Sequence, residues 1–361
     1  MPAKDVVNDE PRGEGLGILR VMACGVAALL WLLGASCASI PPVQPLQRFE
    51  FEHPEMGMSF RITLYAPDQM TASNAAARAF GRMEDLNGIM SDYDPDSELS
   101  RLSLSSGQGR EVAVGDDLWF VLCRAQELAR RSEGAFDVTV GPYVQLWRRA
   151  RRQLKLPEPV LLAQARAAVG WQHVRLNPAR HAVELEKPGM RLDLGGIAKG
   201  YAVAESIKVL RQAGCPRALV EGGGDMALGD APPGRDGWRV QLETLDATNA
   251  PPRRFLALHN VCISTSSDLY QRLEIDGKRY SHIVDPRTGI GLTDHSVVNV
   301  IAPEGIDSDS LTKVMAVLGP KRGLPLVEAT RGAVARIVRN PAEGVIEVTE
   351  SRGFKRYEAK P

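Results

Sequence analysis

Leu192 to Ala202 reads Leu-Asp-Leu-Gly-Gly-Ile-Ala-Lys-Gly-Tyr-Ala, a short apolar strand pattern that meets two glycines and then a helical pattern. Gly195 and Gly196 leave backbone N–H and C=O groups unshielded, so a ligand can approach the main chain closely. The helix start that follows presents unpaired N–H groups with partial positive charge, which suits a phosphate or a metal-bound phosphate. Asp193 and Lys199 flank the turn with one charge of each sign. A plain strand-to-helix turn that binds nothing satisfies the same pattern.

Four more segments set polar residues in turn-rich contexts: Gly134-Ala-Phe-Asp, Glu221-Gly-Gly-Gly-Asp, His282-Ile-Val-Asp-Pro-Arg-Thr-Gly and Ser308-Asp-Ser-Leu. Asp137 lies between apolar neighbours, where an isolated carboxylate is costly without a donor partner. The glycines after Glu221 follow a strand pattern, but their order does not give the G-x-G-x-x-G dinucleotide fingerprint, which argues against a nicotinamide site. His282 offers a base whose ordinary pKa lies near working pH, although a lone histidine also serves as a hydrogen-bonded structural residue.

The elements that must position these residues read as one mixed α+β domain. Strands are predicted at Arg48–His53 and Met58–Ala66, where Phe60, Ile62 and Leu64 alternate with Arg61, Thr63 and Tyr65. A helix capped by Asp68 or Thr71 runs to about Met90, Ser91 to Ser100 is a loop, and a second helix spans Asp116–Arg131. Gly134 to Pro142 is expected to be extended, Pro157–Val169 helical, and Val174, Val183–Leu185 and Met190–Leu192 short strands. A helix follows from Ile197 to Gln212. Strands then recur at Ala218, Trp238–Leu242, Phe255–Leu258 and Val261–Ser264. Leu269–Ile275 and Arg279–Val284 form a hairpin about Asp276-Gly277, a type I′ signal, that delivers His282 at its far end. After a strand at Val297–Ile301, Asp307 or Ser308 caps a helix through Leu318, Leu324–Ala329 is helical, and strands at Ala333–Val338 and Gly344–Thr349 close the domain.

The chain has 361 residues with 44 basic and 44 acidic side chains, so its formal net charge is zero and no nucleic-acid partner is expected. A hydrophobic fraction of 44% allows a sizeable core. Beyond Arg20 an apolar run ends in Leu-Gly-Ala-Ser-Cys at Cys37, too short for a comfortable membrane span but right for a signal-peptide core. The ending resembles a lipoprotein lipobox, with Gly34 where a branched aliphatic residue is usual. A plain secretory signal or an uncleaved anchor are the alternatives, and all three put the body outside the cytoplasm. The expected organisation is a leader at 1–37, a proline-rich tether at 38–46 and the folded domain at 47–361. Cys123, Cys215 and Cys262 are spaced for neither a disulfide framework nor a metal site, and core filling is their expected role.

Taken together, the five segments resemble the ApbE family of FAD:protein FMN transferases. The likeness runs from about Met56 to Leu318, and His-x-x-Asp-Pro-x-Thr-Gly is its sharpest motif. It implies a single ApbE-like α+β domain that binds FAD, cleaves its pyrophosphate with Mg2+ and joins FMN to a Thr or Ser hydroxyl of a target flavoprotein, releasing AMP. Bacterial members are commonly lipoproteins. That agrees with the leader and implies a protein held to the membrane by a lipidated Cys37, on the periplasmic side of the cell envelope, with an acceptor flavoprotein there. An FAD-binding lipoprotein without catalysis and an FAD pyrophosphatase are the alternative functions.

Carried over by position, the resemblance makes Met56, Tyr93, Ala135, Phe136, Asp137, Asp193, Lys199 and Val284 flavin-nucleotide contacts. Gly196 becomes a metal contact through its backbone carbonyl, Asp309 the principal metal carboxylate, and His282 the general base toward the acceptor hydroxyl. One departure bears on the metal. Thr is usual four residues after the metal Asp, and here that position is Lys313, with Thr312 adjacent on another helical face. Asp309 and Lys313 are one turn apart, so their side chains can meet. Three expectations follow: Lys313 is a built-in cation, or the pairing has disabled transfer, or Thr312 reorients to keep a metal site. Ser267, Ser103 and Met58 also replace the family's usual Gly, Asn and Thr.

Overall fold

Phe60, Ile62 and Leu64 are fully buried while Arg61 and Tyr65 point to the other face, so the two-residue period read in the sequence builds a strand with one face on a core. In the computed structural model, residues 45–359 are described apart from Thr248, Tyr270 and Glu343. The leader at 1–37 and nearly all of the tether lie outside the described residues.

Eight strands form one sheet whose spatial order follows the chain: β1 (Gln47–Glu55), β2 (Met58–Ala66), β3 (Ala218–Gly222), β4 (Asp225–Leu228), β5 (Val261–Ser267), β6 (His295–Ala302), β7 (Val334–Ala342) and β8 (Val345–Glu350). Every neighbouring pair is antiparallel. Seven helices are present among the described residues: α1 (Gln69–Met90), α2 (Glu98–Leu104), α3 (Asp116–Arg131), α4 (Gly141–Gln153), α5 (Pro159–Ala167), α6 (Ala198–Gln212) and α7 (Gly305–Glu328). Smaller two- and three-stranded sheets complete the mixed architecture.

Helices α1, α6 and α7 pack along one face of the sheet. Under α1 and α6 the core comprises Phe60, Ile62, Leu64, Ala72, Ala79, Met83 and Leu210. On the other face a hairpin of Trp238–Gln241 and Phe255–Leu258 covers Leu228, Ile263, Ile301 and Val334. β6 therefore lies between two cores: Val298, Val300 and Ala302 join the helix side, while Ile301 joins the opposite one. That is why Val297 to Ala302 reads as an apolar run with Asn299 its one polar member, instead of alternating. Cys215 and Cys262 are buried, Cys123 is half-buried, and all three are free thiols.

Asp68 caps α1 as expected, its side chain accepting from the Thr71 N–H at 2.8 Å. The Asp276-Gly277 turn has φ of 51° and 72°, the two positive values that a type I′ hairpin requires. Four expectations are corrected, for Ser91–Ser100, Gly134–Pro142, Met190–Leu192 and the cap of α7, and one helix, α4, was not anticipated. Ser91 to Ser100 is not all loop, because Ser97 caps α2 by accepting from the Ser100 N–H at 3.0 Å. Gly134 to Pro142 is not a strand: it makes turns up to Val140, which forms a single bridge to Arg191, and Gly141 and Pro142 open α4; that bridge is also the only pairing in Met190–Leu192. Helix α4 had no apolar run to announce it, since Tyr143, Trp147 and Ala150 are its only large buried contacts beneath an arginine-rich face. Helix α7 starts at Gly305 with no side-chain cap from Asp307 or Ser308; its first part ends after Leu318, as expected, at Gly319, whose φ of 68° precedes Pro320.

Helices α6 and α7 cross at two glycines. A Cβ on Gly200 would sit 2.1 Å from the Gly305 carbonyl oxygen, and one on Gly305 would sit 2.0 Å from that of Gly200. Such approach excludes any side chain at either position. Gly305→Ala should therefore lose about 1–3 kcal/mol of stability by overpacking, measured as a lower urea midpoint at unchanged slope. Gly81→Ala, inside α1 with nothing within 4 Å of the added Cβ, should gain about 0.5–1 kcal/mol in the same titration.

Candidate functional site

The glycine crossing brings the first turn of α6 against the first turns of α7. Asp309 is fully buried there, and its Oδ2 accepts from the Gly200 N–H at 3.0 Å, a donor that helical geometry leaves without an intrahelical partner. Lys199 Nζ lies 3.8 Å from the same oxygen, 3.2 Å from Asp225 Oδ2, and donates to the Gly195 carbonyl at 3.1 Å. Lys313 Nζ pairs with Asp309 Oδ1. Asp225 Oδ1 is buried and accepts no hydrogen bond.

Burial works against every charge in this cluster, and the pairing decides which way each shifts. Asp309 is held below the usual carboxylate range because Lys199, Lys313 and the Gly200 N–H overcome burial. Lys199 is held above the usual lysine range because Asp225 and Asp309 overcome it. Asp225 is pushed up by burial and by the Asp309 charge, which Lys199 offsets only in part. Asp225 was not singled out as a site residue from the sequence. Its signal was its place at the end of Glu-Gly-Gly-Gly-Asp, where Gly223 and Gly224 at φ of 60° and 91° turn the chain onto β4.

Gly196 faces Lys313. A Cβ built on it would lie 3.4 Å from Lys313 Cγ and 3.5 Å from Phe136 Cε2, so the glycine is bracketed by the lysine stem and the aromatic ring. Asp193 adjoins this group: its Oδ1 accepts from the Gly195 N–H at 2.8 Å and its Oδ2 from Arg148 at 3.1 Å. Arg148 also pairs with Asp92, and its guanidinium lies 4.1 Å over the ring of Tyr93, which is 75% exposed. Arg148 and Asp92 carried no motif signal. Tyr93 thus presents an open aromatic face, backed by the cation that also holds Asp193.

Several carried-over residues have their side chains engaged elsewhere. Asp137 accepts from the Thr139 N–H at 2.8 Å, the Thr139 hydroxyl at 2.7 Å and the Trp171 N–H at 2.9 Å, which supplies the donors that its burial demands. Ala135 is buried beside it. Val284 packs with Tyr143, Trp147 and Leu273. Met56 sits at φ 49° in the β1–β2 turn, half-buried against the two cores on the helix side. Thr312 is fully buried; its hydroxyl donates to the Asp309 carbonyl at 2.6 Å and lies 2.7 Å from Ser266 Oγ on β5. It is therefore turned to the sheet and not toward Gly196.

His282 is half-buried, with Nδ1 3.1 Å from the Gln271 carbonyl. A carbonyl only accepts, so Nδ1 carries the proton and the Nε2 lone pair is left as the basic site. Burial and then the Lys313 ammonium push the imidazole down from 6.5 to about 4, with Lys199 and Arg151 acting in the same direction.

Magnesium favours an octahedral set of oxygens. Both oxygens of Asp309 already meet N–H donors, and the two carboxylates are matched by two ammonium groups. Among the described residues no group of three or more His, Cys, Asp or Glu side chains could hold a metal ion. One open oxygen on Asp225 and the Gly196 carbonyl do not make a divalent site beside two lysines. As arranged, these residues do not fit the Mg2+ that the resemblance implied.

A profile of the ApbE family matches residues 56–338. The chain belongs to the ApbE family. Two relatives named FAD:protein FMN transferase show how widely the likeness extends. The one from Haemophilus influenzae is 33% identical over 314 residues, covering 84% of this chain and 90% of the relative. The one from Vibrio cholerae is 30% identical over 346 residues, covering 94% and 97%. Among solved ApbE structures, the flavin transferase from Vibrio cholerae superposes with a TM-score of 0.76 at 27% identity, over 87% of this chain and all of that one. The apo flavinyl transferase from Pseudomonas stutzeri gives 0.75 at 26%, over 87% and 98%.

The depressed His282 pKa sets the sign of a pH effect on this ApbE chain. The unfolded imidazole takes up a proton below 6.5 while the folded one does not until about 4, so this residue's contribution to stability is complete above 6.5 and is lost as pH falls toward 4. NMR titration of the ligand-free protein should find the His282 ring neutral at pH 6 and titrating near 4, with Nδ1 protonated.

Proposed function

We infer that this chain is an FAD:protein FMN transferase, moving the FMN half of FAD onto a target protein. The observation that carries the reading is the joining of an anion-suited cluster, Lys199 at the start of α6 and Lys313 on the facing α7, to a neutral His282 whose Nε2 is free to take a proton. Tyr93, with Arg148 behind it, offers a stacking face for the flavin ring, and Asp193 fixes that arginine next to Gly195. Phosphoryl transfer depends mainly on placing the reactants and neutralising charge, and these residues are suited to both.

In this reading His282 Nε2 accepts the proton of a Thr or Ser hydroxyl on the acceptor. The freed oxygen attacks the phosphorus of the FMN half, a new P–O bond forms, and the bond from that phosphorus to the bridging oxygen breaks. AMP leaves with the bridging oxygen, and the flavinylated protein keeps the phosphodiester. Lys199 and Lys313 hold the phosphates against the developing charge, while Asp225 and Asp309 keep the two ammonium groups in place.

Incubating the protein with FAD and an acceptor peptide, while following peptide mass, AMP and free FMN together, tests the reading. Flavinylated peptide and AMP in equal amounts are expected. Free FMN with AMP and no labelled peptide would make it a pyrophosphatase, and FAD retained intact would make it a binding protein. His282→Ala should lower the transfer rate about 100-fold or more, the usual contribution of a positioned base, with FAD affinity little changed.

For location, we propose a cell-envelope protein on the periplasmic side, lipidated at Cys37, acting on a flavoprotein of the same compartment. The apolar run beyond Arg20 and its Leu-Gly-Ala-Ser-Cys ending support this. Metabolic labelling with a radiolabelled fatty acid should mark the wild-type chain and not Cys37→Ser; equal labelling of both would overturn the proposal.

A further inference from the structure

We propose that Lys313 is a built-in counter-cation for the diphosphate of FAD, so that this chain binds its dinucleotide without a divalent metal. The inference rests on the flavin-transferase reading and adds to it the means by which this site meets the phosphate charge. Three features of the site carry it.

The first is the saturation of Asp309. One carboxylate oxygen takes Lys313, and the other takes the Gly200 N–H at 3.0 Å with Lys199 at 3.8 Å. A divalent ion on Asp309 would have to displace an ammonium group from a side chain that is itself fully buried. Removing one partner of such a pair leaves a buried charge uncompensated, which is the costly outcome.

The second is position. The Lys313 stem runs past Gly196, with Cγ and Cε at 3.4 and 3.6 Å from the point a Cβ would occupy, so the lysine fills the space before the glycine turn into which a ligand must come. Its side chain keeps 17% exposure while Asp309 has none, which leaves the ammonium as the accessible end of the pair. An ammonium has three N–H donors, and Asp309 engages one. The others are free to meet phosphate oxygens. Lys199, fastened to Gly195, Asp225 and Asp309, brings a second positive charge to the same end of the turn.

The third is charge. Lys199 and Lys313 match Asp225 and Asp309, so the ligand-free cluster is balanced. A bound diphosphate adds negative charge that the two ammonium groups meet by direct hydrogen bonds, whereas an added divalent ion would face two fixed cations across a few ångströms of partly buried space. The Lys313 charge is also felt at His282, where it ranks second only to burial in keeping the ring neutral. The residue that replaces the metal charge thus also helps keep the base ready.

The test measures FAD binding to the full-length protein by quenching of flavin fluorescence, with excess chelator or with millimolar Mg2+, for the wild type, Lys313→Met, Lys313→Arg and Lys313→Thr. Wild type should bind FAD in chelator, with affinity changed less than threefold by Mg2+. Lys313→Met should bind FAD at least tenfold more weakly in chelator while binding riboflavin, which lacks phosphate, as wild type does. Lys313→Arg should keep most of the affinity. Lys313→Thr should lose affinity in chelator and regain it with Mg2+. A wild type that binds FAD only with Mg2+, or a Lys313→Met variant that binds it equally well, overturns this inference and leaves the transferase reading standing. A wild type that binds no FAD under either condition overturns both. Thermal melting of each variant identifies any that fails to fold, and the Mg2+ response of the wild type decides the question without them.

Discussion

The contact on which the site depends is the crossing of α6 and α7 at Gly200 and Gly305. Two helices approach until each backbone carbonyl touches the Cα of the facing glycine, and no other residue type fits there. The closeness carries Asp309, one turn into α7, onto the Gly200 N–H in the first turn of α6. A buried carboxylate thereby gains a helix-terminal donor, and a helix start gains an anion inside the protein. Everything charged nearby is arranged around that anion.

Burying four charges in one place is unfavourable unless each is matched, and the matching here alternates. Asp225 meets Lys199, Lys199 approaches Asp309, and Asp309 meets Lys313. Each lysine is restrained by a carboxylate that is more deeply buried, so the positive ends are left nearer the opening. A preorganised cation of this kind needs little rearrangement when an anion binds, which is the condition under which electrostatics contributes most to group transfer. The neutral His282 belongs to the same balance, since burial first, and then the charges of Lys313 and Lys199, disfavour a further positive charge there.

The scaffold accounts for the precision. The α6 and α7 helices lie on a sheet whose β6 is buried on both faces, and hydroxyl contacts of Ser264 with Ser308 at 2.8 Å and of Ser266 with Thr312 at 2.7 Å join that sheet to α7. Residues on packed helices hold geometry better than residues on loops. Tyr93, by contrast, is on a loop and open, as suits a face that must admit a planar ligand.

Much of the fold was legible in the sequence, because its signals are local. Alternation at Phe60 to Tyr65, the Asp68 cap and the Asp276-Gly277 turn depend on neighbours within a few residues, and each formed where it was expected. Helix α4 was missed because arginines cover most of its surface and its buried stripe is three residues long. The five segments, with the glycine turn at Gly195-Gly196 among them, identified the family and nearly all the residues now considered. What the sequence determined by itself was which chemistry-bearing residues exist and on which kind of element each sits. Only the tertiary structure decided that Lys313 lies on Gly196, that Thr312 turns to the sheet, and that Asp225 and Arg148 join the site. Those outcomes depend on the closeness of elements far apart in the chain, from 45 residues for Arg148 and Asp193 to 109 for Gly200 and Asp309, and such closeness leaves no periodic trace along the sequence.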